Sequence, residues 1–332
     1  MSTGRTSRLL LAATAAVLLG AAALAVWLMG GSNAARMAAA EPLRCLPAGA
    51  DAGPGSMVWV PPGRFAMGDT VYPEERSFRD VSVEGFWMDR TEVTNRDFAA
   101  FVAATGHVTV AERPVDPALH PHLPPDMRKP GAVVFIMPND VDGMGDISQW
   151  WQYVPGANWR HPGGPGTSIE NRDDFPVTAI ALEDARAYAS WMGHRLPSEA
   201  EWEWAARAAD PDAPPAHERP TEANTWQGLF PVVNTAEDGF VGVAPVGCFE
   251  PNALGLYDMI GNLWEWTGDA WEGRADAHVI KGGSWLCAPN YCMRYRPGAR
   301  QPQELDLATS HLGFRTIRPA PGPGDAPWSV SR

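Results

Sequence analysis

Cys287 and Cys292 stand with four residues between them in GGSWLCAPNYCMRYRPGAR, a stretch from Gly282 to Arg300. This spacing is not the two-residue gap of a zinc knuckle or a thioredoxin-type motif. No second cysteine pair or nearby histidine completes a tetrahedral site. Three chemistries remain open for the pair: a local disulfide, a dithiol that cycles by exchange, or two thiolates holding a soft ion, for which Cu(I) is the natural choice. Arg294, Arg296 and Arg300 follow closely, and facing the thiols they would favour the thiolate. Spacing and composition alone favour the disulfide.

Hard oxygen donors cluster in two other stretches. Asn224 and Asp238 lie in ANTWQGLFPVVNTAEDGF, and Asp258 and Glu265 in LYDMIGNLWEW. Such donors suit Ca²⁺ rather than a transition metal. Spacing alone favours turn caps or arginine pairs over a calcium site. The eight histidines are scattered with no His-x3-His-x-Glu array.

The elements that must position these groups are few. Thr94 can cap a helix with Phe98, Phe101 and Val102 on one face, ended by Gly106. A second helix runs from Leu182 to Met192 with Gly193 as its stop. Ser198 with Glu201 forms a capping box for a third. Short strands are expected at 57–60, 81–88 and 312–317. Between Ala111 and Phe175 no periodicity persists, which predicts a long irregular region. The 33 Gly, 32 Pro and 15 Trp of the 332 residues agree with an α+β, irregular and loop-rich domain.

The N-terminus carries Arg5 and Arg8 ahead of an uncharged run, 9–29, long enough to span a bilayer. Its positive flank predicts a cytoplasmic stub at 1–8 and export of everything after the run. The alternative is a cleaved signal peptide. Residues 30–55 form a flexible tether, 56–318 the folded domain and 319–332 a mobile tail. A formal charge of −13 argues against nucleic acid as a partner. Export would allow Cys45 and Cys248 to bridge, tying the tether to the domain; two free thiols are the alternative.

The string GGSWLCAPNYCMRYR…AR…LGFR resembles the C-terminal signature of the formylglycine-generating enzymes, or sulfatase-modifying factors. MVWVPPGRFAMGD, FWMDRTEVTNRDFAAFV, GANWRHPGGP, RLPSEAEWEWAAR and GLYDMIGNLWEWT resemble further blocks of that family in the same order, from about Met57 to Arg318. Broader relatives share several of these blocks, and the Ser-x-x-Cys-x4-Cys context is what narrows the match.

The resemblance implies a C-type-lectin-like core in which Cys287 and Cys292 hold Cu(I). It implies O2-dependent oxidation of a cysteine to Cα-formylglycine, within a Cys-x-Pro-x-Arg segment of an unfolded or extended sulfatase polypeptide. Ser284 and Tyr291 match positions lining the site, and Trp264 a wall aromatic that core packing would equally explain. The resemblance also completes two structural Ca²⁺ sites. The first joins Asn224 and Asp238 to the carbonyls of Thr225 and Phe240, and the second joins Asp258 and Glu265 to those of Gly261 and Leu263. Pro297 and Thr316 stand where some relatives carry further cysteines. The rival functions are a non-catalytic binding module on the same fold and an iron-dependent oxidase of the wider superfamily.

Overall fold

In the computed structural model, residues 45–46, 56–76, 78–118, 120–213 and 222–320 are described. The expected stub at 1–8, the apolar run 9–29, nearly all of the tether and the tail from 321 lie outside these residues. Among the described residues, no helix is long and apolar enough to cross a membrane.

Among the described residues, eleven short strands and three α-helices are threaded through much irregular chain. Strands β1 (Met57–Val60), β4 (Phe86–Asp89) and β11 (Ile317–Pro319) form an antiparallel sheet with β4 in the middle, so both ends of the domain close on one strand. Strands β2 (Gly63–Met67) and β3 (Arg79–Val83) pair alone. A second sheet has the order β10 (Leu312–Gly313), β7 (Trp264–Ala270), β8 (Ala277–Lys281), β9 (Gln301–Glu304). Its β10–β7 pair is parallel and the others are antiparallel.

The expected strand at 57–60 is β1. The expected strand at 81–88 is cut into β3 and β4, because the chain turns at Gly85, where a Cβ would lie 2.5 Å from the Trp59 ring. The expected strand at 312–317 is likewise two, β10 and β11, separated where Arg315 turns inward.

The helices follow their caps. In α1 (Asn95–Thr105) the Thr94 hydroxyl accepts from the Asp97 N–H and the Asp97 carboxylate accepts from the Thr94 N–H; Gly106 closes the helix in the left-handed region. In α2 (Leu182–Trp191) the N-cap is Ala181, and Asp184 accepts its N–H. In α3 (Glu199–Ala206) the Ser198–Glu201 box forms, and Arg195 grips Glu201 with both terminal nitrogens.

The region between Ala111 and Phe175 is not wholly irregular: it holds the hairpin of β5 (Gly131–Phe135) and β6 (Trp151–Pro155). Four of the five residues of β5 are buried, so its sequence GAVVF lacks the alternation that marks a half-exposed strand.

Among the described residues the apolar core falls into four clusters, the smallest an alanine-rich group around Val134. One joins α1 and α2 to β7 through Phe98, Tyr188, Trp266 and Phe314, and the cysteine pair packs against it. The second seats Trp202 and Trp204 of α3 on Val60, Phe86 and Met88. The third is mostly aromatic, with Phe135, Trp150, Trp226, Phe230 and Trp285. Cys45 and Cys248 form a disulfide with Cα atoms 4.5 Å apart.

Candidate active site

The segment after β8 turns away from the sheet at Gly282 and Gly283, both at positive φ. A Cβ at Gly283 would lie 2.7 Å from the Arg294 carbonyl oxygen, so only glycine lets the two ends of the cysteine loop approach this closely. Inside the loop, Cys287 N–H donates to the Ser284 carbonyl (2.9 Å) and Cys292 N–H to the Ala288 carbonyl (3.1 Å). These turns bring the sulfurs together. Cys287 Sγ and Cys292 Sγ are 2.8 Å apart, and both thiols are free and buried. The local disulfide favoured by spacing alone is therefore absent. The carbonyl of Cys287 is fixed by the Trp226 N–H, and the Trp285 N–H donates to Asn262.

The thiols lie in the wall of a cleft of about 510 Å³. The five expected site residues, Trp264, Ser284, Cys287, Tyr291 and Cys292, all line it. Ser284 is fully buried, and its Oγ also accepts from the Leu286 N–H at 3.3 Å, so it shapes the turn as well. Tyr291 stacks on Phe230, with ring centroids 4.2 Å apart and planes 9° from parallel. Trp264 is both core and wall.

Only one of the three arginines after the pair faces the sulfurs. The Arg294 guanidinium and its backbone N–H both act on Cys292. Arg294 is itself held by Glu74 at 2.5 Å and lies 4.0 Å over the Tyr72 ring. Arg296 is fully buried between Glu75 and Asp69, and Arg300 pairs with Glu199 at 2.9 Å. The expectation that all three could serve the thiols is corrected: two of them are structural.

The pair titrates as a unit. Cys292 is brought down to about 7, first by the hydrogen bond with Cys287 and then by Arg294, against the opposing effect of burial. Burial and the neighbouring Cys292 push Cys287 well up. One proton leaves the pair easily and the second does not, which suits two sulfurs sharing one positive ion.

Sequence reasoning missed much of the opposite wall. Trp151 and Tyr153 reach the cleft from β6, and His311 from the approach to β10. The His311 ring lies tilted by 52° against that of Trp151 with centroids 4.6 Å apart, and burial depresses it to about 3, so it is a neutral imidazole across the physiological range.

The residues of the first expected calcium site converge. Asp238 accepts from the Thr225 N–H (3.2 Å) and the Phe240 N–H (2.9 Å). The Gln227 amide donates both to Asp238 (2.6 Å) and to the Thr225 carbonyl, bridging two oxygens as a cation would. Asn224 sits beside them, bonded to Asn262 and the Gly242 carbonyl. The buried Thr225 Oγ1 has no partner among the described residues.

At the second expected site Asp258 accepts from the Gly247 N–H at 2.6 Å. Glu265 is bound to Arg315 by contacts of 2.7 to 3.0 Å and to Trp202 Nε1 at 2.8 Å. Gly261 and the fully buried Leu263 lie on the chain between them. Glu92, which sequence reasoning passed over, joins this cluster; its Oε2 is buried without a partner, and burial, Asp258 and Glu265 hold it well above the usual range. Three carboxylates against one guanidinium leave an excess of negative charge. Among the described residues, no three His, Cys, Asp or Glu side chains converge as a metal cage, so an ion here would depend on backbone carbonyls.

A family model described as a sulfatase-modifying factor enzyme 1-like domain matches residues 47–320. The formylglycine-generating enzyme of Mycobacterium tuberculosis is 46% identical over 289 residues, covering 79% of this chain and 97% of that protein. A mouse protein named inactive Cα-formylglycine-generating enzyme 2 is 38% identical, covering 81% and 87%. The solved structure of PvdO from Pseudomonas aeruginosa shares the fold, with a TM-score of 0.56 at 24% identity over 80% of this chain and 94% of that one. The chain belongs to the sulfatase-modifying factor family, that of the formylglycine-generating enzymes.

Proposed function

We propose that this protein oxidises a cysteine in a Cys-x-Pro-x-Arg segment of a sulfatase polypeptide to Cα-formylglycine, using O2 and a Cu(I) ion. Membership of the family does not by itself imply catalysis, since a relative named inactive is 38% identical. The observation that carries the reading is the pair of free, buried sulfurs 2.8 Å apart in the cleft wall. The donor set fits a soft monovalent ion: two sulfurs, one easily lost proton and, among the described residues, no carboxylate lining the cleft. Held by Cys287 and Cys292, Cu(I) would supply the reaction with O2 that no side chain can perform.

The chain's own residues supply the setting. Arg294 holds negative charge on Cys292. Trp264 and Tyr291 keep water from the sulfurs, and the open side of the cleft admits the substrate thiol. His311 stays neutral and places no competing positive charge there. Electron counting adds a requirement: converting CH2–SH and water to an aldehyde and H2S removes two electrons, while reducing O2 to water takes four. Reduction to water therefore draws two more electrons from an external thiol.

Two structural Ca²⁺ ions belong to the same proposal, the first on Asn224, Asp238 and the carbonyls of Thr225 and Phe240. The orphaned Thr225 Oγ1 and Glu92 Oε2 and the surplus of buried carboxylates support them. Export, with anchoring by the run at 9–29, is proposed as well, and the Cys45–Cys248 disulfide is in keeping with an oxidising compartment.

The test supplies a Cys-x-Pro-x-Arg peptide with Cu(I), O2 and a thiol reductant, and reads the aldehyde by mass spectrometry after hydrazine trapping. Wild type should give product, while Cys287→Ser and Cys292→Ser should lose it by at least about a thousandfold at nearly unchanged melting temperature. Aldehyde formation at the wild-type rate by either variant would overturn the reading.

A further inference from the structure

The connection between β5 and β6 is not used by the chemistry above, yet it stands at the mouth of the cleft. Ile147 and Ser148 of this connection line the cleft, as does Met127 from a neighbouring segment. The connection exposes four large apolar side chains: Ile136 (43%), Met137 (42%), Met144 (38%) and Ile147 (54%). They make up four of the eleven large apolar residues exposed among those described.

The loop is fastened rather than loose. Its ends are joined by the Ile136 N–H donating to the Trp150 carbonyl at 2.8 Å. Inside it, Gln149 accepts from the Asp142 N–H (2.6 Å) and donates to the carbonyls of Gly143 (3.2 Å) and Asp146 (3.0 Å). Val141 packs inward on the aromatic cluster. An exposed apolar rim that is held in shape and continuous with a reaction cleft marks a binding surface. Methionine lets such a rim adapt to different sequences.

Its charge is one-sided. Asp140 and Asp142 are exposed, and neither carboxylate has a partner among the described residues; Asp146 is taken up by Ser148. No lysine or arginine lies between Ile136 and Trp150, and the chain as a whole carries −13. Apolar side chains set among free carboxylates complement apolar residues interspersed with Lys or Arg.

We infer that the β5–β6 connection, through Ile136, Met137, Met144, Ile147, Asp140 and Asp142, is the docking rim for the polypeptide flanking the target cysteine, and that it selects flanks in which apolar residues alternate with basic ones. The inference rests on the proposed function for its occupant. The rim adds contacts to the flanks beyond those the cleft makes with the minimal motif, so its effect is read on binding of the flanks.

The test uses fluorescein-labelled peptides and the metal-free full-length chain in detergent, read by anisotropy, so that it does not depend on catalysis. A minimal peptide holds only the five-residue motif. Two longer peptides carry Leu/Lys or Ser/Glu flanks. Wild type should bind the Leu/Lys peptide at least about fivefold more tightly than either of the others. Met144→Ser/Ile147→Ser should abolish that advantage, and Asp140→Asn/Asp142→Asn should reduce it and remove its dependence on salt. In the turnover assay the same variants should raise KM for the Leu/Lys peptide more than for the minimal one. Equal binding of all three peptides by wild type, or an advantage that survives both variants, overturns the docking rim. Absence of aldehyde from every peptide with the binding advantage intact overturns the proposed reaction instead.

Discussion

Replacing Arg315 by Met should strip the domain of a large part of its stability, by an amount that depends on pH. Arg315 is fully buried and contacts both oxygens of Glu265 at 2.7 to 3.0 Å. It also donates to the carbonyls of Asp89 (3.3 Å), Arg90 (3.4 Å) and Tyr257 (3.0 Å). Removing one partner of a buried pair costs about 3 to 5 kcal/mol, because the other charge is left uncompensated. Met fills much of the volume, so packing loss adds little. A loss near 4 kcal/mol compares with a total of about 5 to 15 kcal/mol for a typical domain. At roughly 2 to 4 °C per kcal/mol, it lowers the melting temperature by about 8 to 16 °C.

The pH dependence follows from what is left behind. Asp258 already titrates at about 6, raised by burial against the opposing effect of Arg315, and burial with the neighbouring Asp258 and Glu265 holds Glu92 well above its usual range. Without Arg315 these two carboxylates take up protons still more readily in the folded state than in the unfolded one. The folded variant then binds more protons, so its stability falls as pH rises. Calorimetry in chelator at pH 5 and pH 8 should show a smaller loss at pH 5. Adding Glu265→Gln to Arg315→Met should return at least about 1 kcal/mol at pH 8, because the orphaned charge is gone. A loss below about 1 kcal/mol, or one equal at both pH values and not relieved by Glu265→Gln, would refute this account of the cluster.

Calcium at about a hundred times its dissociation constant should raise stability by about 2.7 kcal/mol over the same protein in chelator; Asp238→Ala should remove the part due to the first site, and a melting curve indifferent to calcium and chelator would count against both sites. Asp89, which accepts from the Thr316 N–H (2.8 Å) and hydroxyl (2.6 Å), is raised by burial to about 6. Its folded form holds the proton more tightly than the unfolded chain, so its contribution is full below about pH 4 and is lost as pH rises through 6. Asp89 keeps some contact with solvent, so about 1 to 2 kcal/mol is expected after screening. Asp89→Asn should flatten the stability profile between pH 4 and 6; an unchanged profile would show that another group carries that dependence.

The sequence made some of this architecture legible and hid other parts for physical reasons. The caps at Thr94 and Ser198 are local signals, complete within four residues, and both helices start where they indicate. The cysteine pair was legible as a site, but its redox state was not. Spacing cannot show that turns at Ser284 and Ala288 would leave the sulfurs free. β5 escaped because a strand buried on both sides loses its alternation. β9, QPQE, escaped because it is polar and takes its place from pairing with β8. Glu92 looked like any acid near a helix start, and only long-range folding brings it beside Asp258 and Glu265. His311 stands just before β10, within reach of the strand expected at 312–317, but its place in the cleft wall follows from the parallel pairing of β10 with β7, which the sequence does not show.

A reaction centre on irregular chain needs something other than a backbone ladder to fix it, and here arginine serves that purpose. The residues from Gly282 to Arg300 contain no strand or helix. Arg294 reaches Glu74, Arg296 reaches Glu75 and Asp69, and Arg300 reaches Glu199. Each pair joins the cysteine loop to chain about 100 to 230 residues earlier. Buried ion pairs add little net stability, because desolvation offsets the attraction. Their forked geometry does restrict position, which a site tolerant of only small displacements requires. The same economy explains why Arg294 alone faces the thiols. Two further free guanidinium groups would add positive charge beside the thiols, and pairing Arg296 and Arg300 with acids makes them part of the loop's scaffold instead.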